Sequence, residues 1–115
     1  MDSYTIAHQL AQTLKQSEQY SDYHRMRELV MKDERNQQML SEYKKKQMQI
    51  QAAYLAGEEP SREDMERLQG MTLVMQYNKE VSAYLVAEYR MNQLVGDIYK
   101  IIGDAVELDL SFMQK

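Results

Sequence analysis

An imidazole can pass protons near neutral pH or ligate a metal, so the two histidines, His8 and His24, are the first residues to weigh for chemistry. Carboxylate-bridged di-iron bundles need Glu-x-x-His pairs, and the residues three before these histidines are Thr5 and Ser21. The chain holds no His-Glu-x-x-His, no phosphate-cradling glycine loop and no Gly-x-Ser-x-Gly. It has no cysteine, so thiolate nucleophiles, disulfides and Cys-held zinc or iron–sulfur clusters are excluded. Each histidine stands among polar neighbours and reads better as a solvated or packing residue than as a catalyst. No catalytic, cofactor or metal site is expected, and no small-molecule substrate.

Two further features invite a functional reading. Glu88 is the one carboxylate inside an apolar stripe, and its blander role is a packed stem with the head in water at the stripe's edge. The run Lys44-Lys45-Lys46 offers an RNA-binding alternative, with two copies brought together by symmetry. Against it, successive helical residues point in different directions, acidic Glu42 and Glu58-Glu59 lie nearby, and the net charge is −4. RNA is therefore the less favoured partner.

The elements that must position these residues are helices. A chain of 115 residues is one domain's worth, here taken as residues 1–115, and with 4 Gly and 1 Pro it lacks breakers for the turns of a β protein. The fold class is all-α, with about five helices. The first spans Ser3 to about Ser17 with Ser3 as N-cap, and the second about Asp22 to Met31. The third runs from a cap at Asp33, or continues from the second as one bent helix, to Leu55 and stops at Gly57 and Pro60. Ser61 caps the fourth, Arg62 to Tyr77, with acidic Glu63 and Asp64 favoured by the helix dipole. Asn78 caps the fifth, Lys79 to Glu107. The start lacks the basic and apolar regions of a secretory signal, and no apolar run is long enough for membrane insertion, so a cytoplasmic location is expected.

Helices three and four read as an antiparallel hairpin. One register pairs Tyr54 with Met65, Ile50 with Leu68, Gln47 with Thr72 and Tyr43 with Met75. The long last helix carries a wide stripe that includes Tyr84, Met91, Leu94, Val95, Ile98, Ile101 and Ile102. Two short N-terminal helices offer too little surface to cover it, so these seven residues are expected to form the seam of a homodimer in a bundle-like assembly, the alternative being a monomeric bundle that buries the stripe internally. Methionine is abundant, 10 of 115 residues, and Met39, Met48 and Met71 lie beside the proposed seam rather than in it. Flexible thioethers suit adaptable contacts, which makes these three the candidate partner surface.

The order of elements resembles the YlbF/YmcA family of small helical bacterial regulators. The resemblance is carried by Ser17-Glu18-Gln19-Tyr20 followed by Tyr23, by the Gly57 turn leading through acidic residues to Ser61, and by the closing helix with Leu94, Ile98 and Ile101. It extends from about Tyr4 to Val106. It implies a non-enzymatic protein that forms helical oligomers, acts on competence, sporulation and biofilm formation, and partners other proteins of a regulatory complex that modulates messenger-RNA processing. Members of that complex supply cysteines associated with iron–sulfur clusters; this chain has none, so no cofactor is implied. Members also often place a proline after the Asn that opens the last helix, where this chain has Lys79.

Overall fold

The computed structural model describes residues 1–110. Five helices follow in order: α1 (Ser3–Lys15), α2 (Glu18–Met31), α3 (Glu34–Leu55), α4 (Arg62–Gln76) and α5 (Lys79–Val106). The described residues contain no strand.

Most boundaries are set by side chains that capture orphan N–H groups. Asp2, not Ser3, caps α1: its Oδ1 accepts from the Thr5 N–H at 2.8 Å, and that bond holds its carboxyl below the usual range. A carboxylate facing the positive helix end outcompetes a hydroxyl one residue on. Ser17 serves two helices, donating to the Leu14 carbonyl at 2.6 Å and accepting from the Tyr20 N–H at 3.1 Å. Hence α2 begins at Glu18, four residues before the expected Asp22. Asp33 caps α3 and separates it from α2, Ser61 caps α4 through the Asp64 N–H, and Asn78 accepts from the Val81 N–H at the head of α5.

Two helix ends use the left-handed turn that satisfies terminal carbonyls. At α3 the N–H of Glu58 donates to Ala53 O, with Gly57 at φ 77°. At α5 the N–H of Leu108 donates to Gly103 O, and there the left-handed residue is Glu107, φ 60°. The returning chain lies so close that a Cβ on Gly103 would stand 2.8 Å from the Leu108 carbonyl oxygen.

The described residues cluster into two compact units. In the first, Glu28–Ala83, α3 packs on α4, and Val30, Leu40, Ile50, Met75 and Val81 are buried. The hairpin register differs from the expected one. Lys46 Nζ meets Asp64 Oδ1 at 2.9 Å, whereas the expected register sets Thr72 and Leu73 opposite Lys46. The last turns of α3 thus run past the start of α4, and Tyr54 is exposed rather than paired with Met65. Nor is there a Gln47–Thr72 layer, because both side chains bond within their own helices, Gln47 to Tyr43 Oη and Thr72 to Leu68 O. The connection 56–61 is long enough to let the helices slide to the register that the Lys46–Asp64 pair and the buried Leu40, Ile50 and Met75 prefer.

Buried Asn36 ties two helix starts together in the same unit. Its Nδ2 donates to Glu80 Oε2 at 2.9 Å and its Oδ1 accepts from Asn78 Nδ2 at 2.6 Å. The Glu80 carboxylate thereby serves the N-terminal turns of α3 and α5, both positive dipole ends.

The second unit comprises Met1–Arg27 and 84–110. Here the Tyr23 and Tyr84 rings lie 5.8 Å apart, and Asp22 accepts from Arg25 at 3.3 Å with Arg90 at 3.9 Å. Helix α1 buries none of its side chains.

Candidate functional site

The polar candidates do not converge. His8 is exposed on α1, and His24 is exposed on α2 with its ring stacked on Tyr20 at 5.7 Å. Glu88 is half-buried and accepts a hydrogen bond from Tyr84 Oη at 2.7 Å. That bond and burial of the phenol push the Tyr84 ionisation well above its ordinary value, with burial the larger cause. Among the described residues no group of three or more His, Cys, Asp or Glu could hold a metal ion, and no helix is long and apolar enough to cross a membrane.

The lysine run splits across its helix. Lys45 is exposed, Lys44 is half-buried, and Lys46 is committed to Asp64, whose carboxyl it holds below the usual range. Three charges that diverge in this way make no continuous track for a phosphate backbone.

The three candidate methionines are divided. Met39 and Met71, both half-buried, face each other across a surface groove of about 570 Å³ between α3 and α4. Arg35, Gln38 and Glu42 of α3 and Gly70 and Val74 of α4 complete its walls. Met48 is exposed but does not line the groove; nine residues on from Met39 at ~100° per residue, it points to the opposite side of α3.

The seven stripe residues of α5 also divide. Tyr84 is only 4% exposed, held by the Tyr23 ring and by its bond to Glu88, so it packs inside its own chain and leaves the expected self-association seam. Met91, Leu94, Val95 and Ile98 are half-buried. Ile101 and Ile102 are exposed, Ile101 by 68%, with Val106 exposed one turn on.

A second apolar face went unread in the sequence. On α4, Leu73 (58% exposed), Val74 (57%) and Tyr77 (87%) stand at i, i+1 and i+4, with Gly70 exposed one turn earlier. At ~100° per residue they lie opposite the inward row of Met65, Leu68 and Met75. The i, i+1, i+4 spacing is its signal in the sequence, masked by the inward row on the same helix. Gly70 is the odd member. In the middle of an exposed helix it costs about 1 kcal/mol relative to alanine, and a Cβ there would meet nothing within 4 Å. Nothing inside the chain requires it.

Set beside known proteins, the whole helical array is familiar. Over residues 3–107 the chain matches the family described as control of competence regulator ComK, YlbF/YmcA. A UPF0342 protein of Symbiobacterium thermophilum is 38% identical over 109 residues, covering 95% of this chain and 97% of its own length. A UPF0342 protein of Halothermothrix orenii is 32% identical over 115 residues, covering 100% and 98%. The solved structure of a protein of unknown function (DUF964) from Bacillus stearothermophilus shares the fold, with a TM-score of 0.77 at 21% identity over 90% of this chain and 91% of that one. With the match running from the first helix to the end of the last, the chain belongs to the YlbF/YmcA family, the family of control of the competence regulator ComK.

Proposed function

We propose that this chain is a non-enzymatic cytoplasmic regulator that works through protein–protein contacts, and that it self-associates along the C-terminal half of α5. One observation carries the reading. Ile101, Ile102 and Val106 stand exposed on a helix that had ample room for polar residues, and contiguous apolar surface of this kind marks an interaction site. Family membership supports the regulatory role, since the family is described by its control of a competence regulator. Apolar burial there contributes roughly 25 cal/mol per Å² removed from water, less the cost of association.

Light scattering on the purified chain tests the self-association. Ile101→Asp is expected to lower the assembly mass and leave the helical signal unchanged, because Ile101 makes no buried contact to lose. A wild-type mass that stays monomeric at tens of micromolar, on the order expected for a weak interface, overturns the self-association. For the regulatory role, a tagged pull-down from the native cells is run with and without ribonuclease. A stoichiometric protein partner that survives the nuclease supports the reading, and material lost with the nuclease replaces it with RNA contact.

A further inference from the structure

The groove between α3 and α4 carries its own pattern of charge. Arg35 stands at one end and Glu42 at the other, seven residues apart and so on nearly the same face of α3, separated by about 10 Å at ~1.5 Å per residue. The apolar walls, Met39, Met71 and Val74, lie between them. Read from N to C, the α3 side of the groove is positive, apolar, negative. The same helix running the opposite way reads negative, apolar, positive.

We infer that the α3/α4 groove docks a second copy of this chain, α3 against α3 and antiparallel about a two-fold axis near Gln38 and Met39. In that arrangement Arg35 of each chain faces Glu42 of the other at both ends. A two-fold interface is self-complementary by necessity, each contact being made twice, and this order of charges meets that condition without any other partner. A nucleic acid would not match it, since the groove offers as much negative as positive charge.

Gly70 is the second, independent observation. It sits on the groove wall, where its Cβ would meet nothing in the isolated chain. A glycine with no internal reason in mid-helix leaves room for the close approach of another backbone. The second copy's α3 is that backbone, with Met39 and Met71 as the adaptable filling around it. The exposed Leu73 and Tyr77 continue the same α4 surface beyond Val74 and come under cover at the edge of the contact. This surface shares no residue with the α5 face proposed above.

The test is a charge-swap series read by sedimentation and light scattering. Arg35→Glu alone places like charges together at both ends, and so does Glu42→Arg alone; each is expected to weaken groove pairing roughly hundredfold and to halve the assembly mass. The double variant, Arg35→Glu with Glu42→Arg, restores the original mass. A one-to-one mixture of the two single variants also restores it, as a mixed pair identifiable by a mass tag on one of them. Gly70→Leu blocks the approach and halves the mass while the far-UV helical signal of the chain is retained, since leucine favours helix and has open space to occupy. Wild-type protein that is monomeric at about 100 µM, a mass unmoved by Gly70→Leu, or single variants whose mixture fails to associate overturns the inference. A mass that responds to Ile101→Asp and to none of the groove variants overturns it too, and leaves the α5 face standing.

Discussion

In residues 28–83 the apolar side chains Val30, Leu40, Ile50, Met75 and Val81 are buried, and a buried Asn36 ties the heads of α3 and α5 together. In Met1–Arg27 with 84–110 the buried apolar side chains are Tyr84 and Ala87, and α1 buries none, although Ile6, Leu10 and Leu14 line up along it. The two stretches are equally helical. They differ in how much apolar side chain is packed away: the first buries five apolar side chains while leaving Leu73, Val74 and Tyr77 outside, whereas the second buries Tyr84 and Ala87 among its described residues. Helix formation and core formation are separate achievements, and only the second fixes which faces remain for a partner.

The largest expected effect falls in the first stretch. Leu40 is almost wholly buried, so Leu40→Ala is expected to cost about 2–5 kcal/mol in urea unfolding, read against the wild type at the same protein concentration. A loss below 1 kcal/mol, roughly that of an exposed site, would erase the contrast between the two regions. Next comes the polar tie. Asn36→Leu leaves the Asn78 amide and the Glu80 carboxylate without that partner and is expected to cost about 1–3 kcal/mol. If instead the variant is neutral, the heads of α3 and α5 are held by packing alone.

In the second stretch the effects are smaller. Tyr84→Phe removes the hydroxyl that bonds Glu88 and is expected to cost about 1 kcal/mol at neutral pH. It also changes the alkaline limb. Burial and Glu88 raise the Tyr84 ionisation in the folded chain, so its neutral form is favoured there. The associated stability is present below the unfolded tyrosine value near ~10 and is lost as pH rises beyond it. The wild type should therefore lose stability above that pH more steeply than the Phe variant, as followed by circular dichroism; equal slopes would show that Tyr84 is not the titrating group. Smallest is a gain: Glu107→Gly relieves a left-handed glutamate and is expected to add about 1 kcal/mol, visible as a raised melting temperature. Gly103→Ala should act in the opposite direction, because its Cβ would collide with the Leu108 carbonyl.

Much of the fold was legible because helix ends are written locally. Gly57, Pro60 and Ser61 mark the α3–α4 turn, and Asp33 and Asn78 cap α3 and α5. The errors at Ser3 and Asp22 arose where two capping residues stood close together, and the nearer carboxylate or hydroxyl took the N–H. The hairpin register was not legible. Heptad-like spacing says which residues share a face, but sliding one helix along another preserves that spacing, so several registers satisfy the pattern. The candidate surfaces were half legible for the same reason. Met39 and Met71 were selected and do face one groove, yet Met48 points away from it, and the outward row of Leu73, Val74 and Tyr77 was hidden behind the inward row that explained the helix.

By itself, then, the order of residues determined an all-α chain of five helices, their approximate ends and its family, because caps, breakers and 3.6-residue periodicity act within a turn or two of chain. Tertiary structure decided that Lys46 meets Asp64, that Tyr84 is spent inside its own chain, and that Gly70 and Ile101 face outward. Those outcomes depend on which helix faces meet at which depth, a competition among long-range packings whose energies are comparable and whose winner no local pattern records.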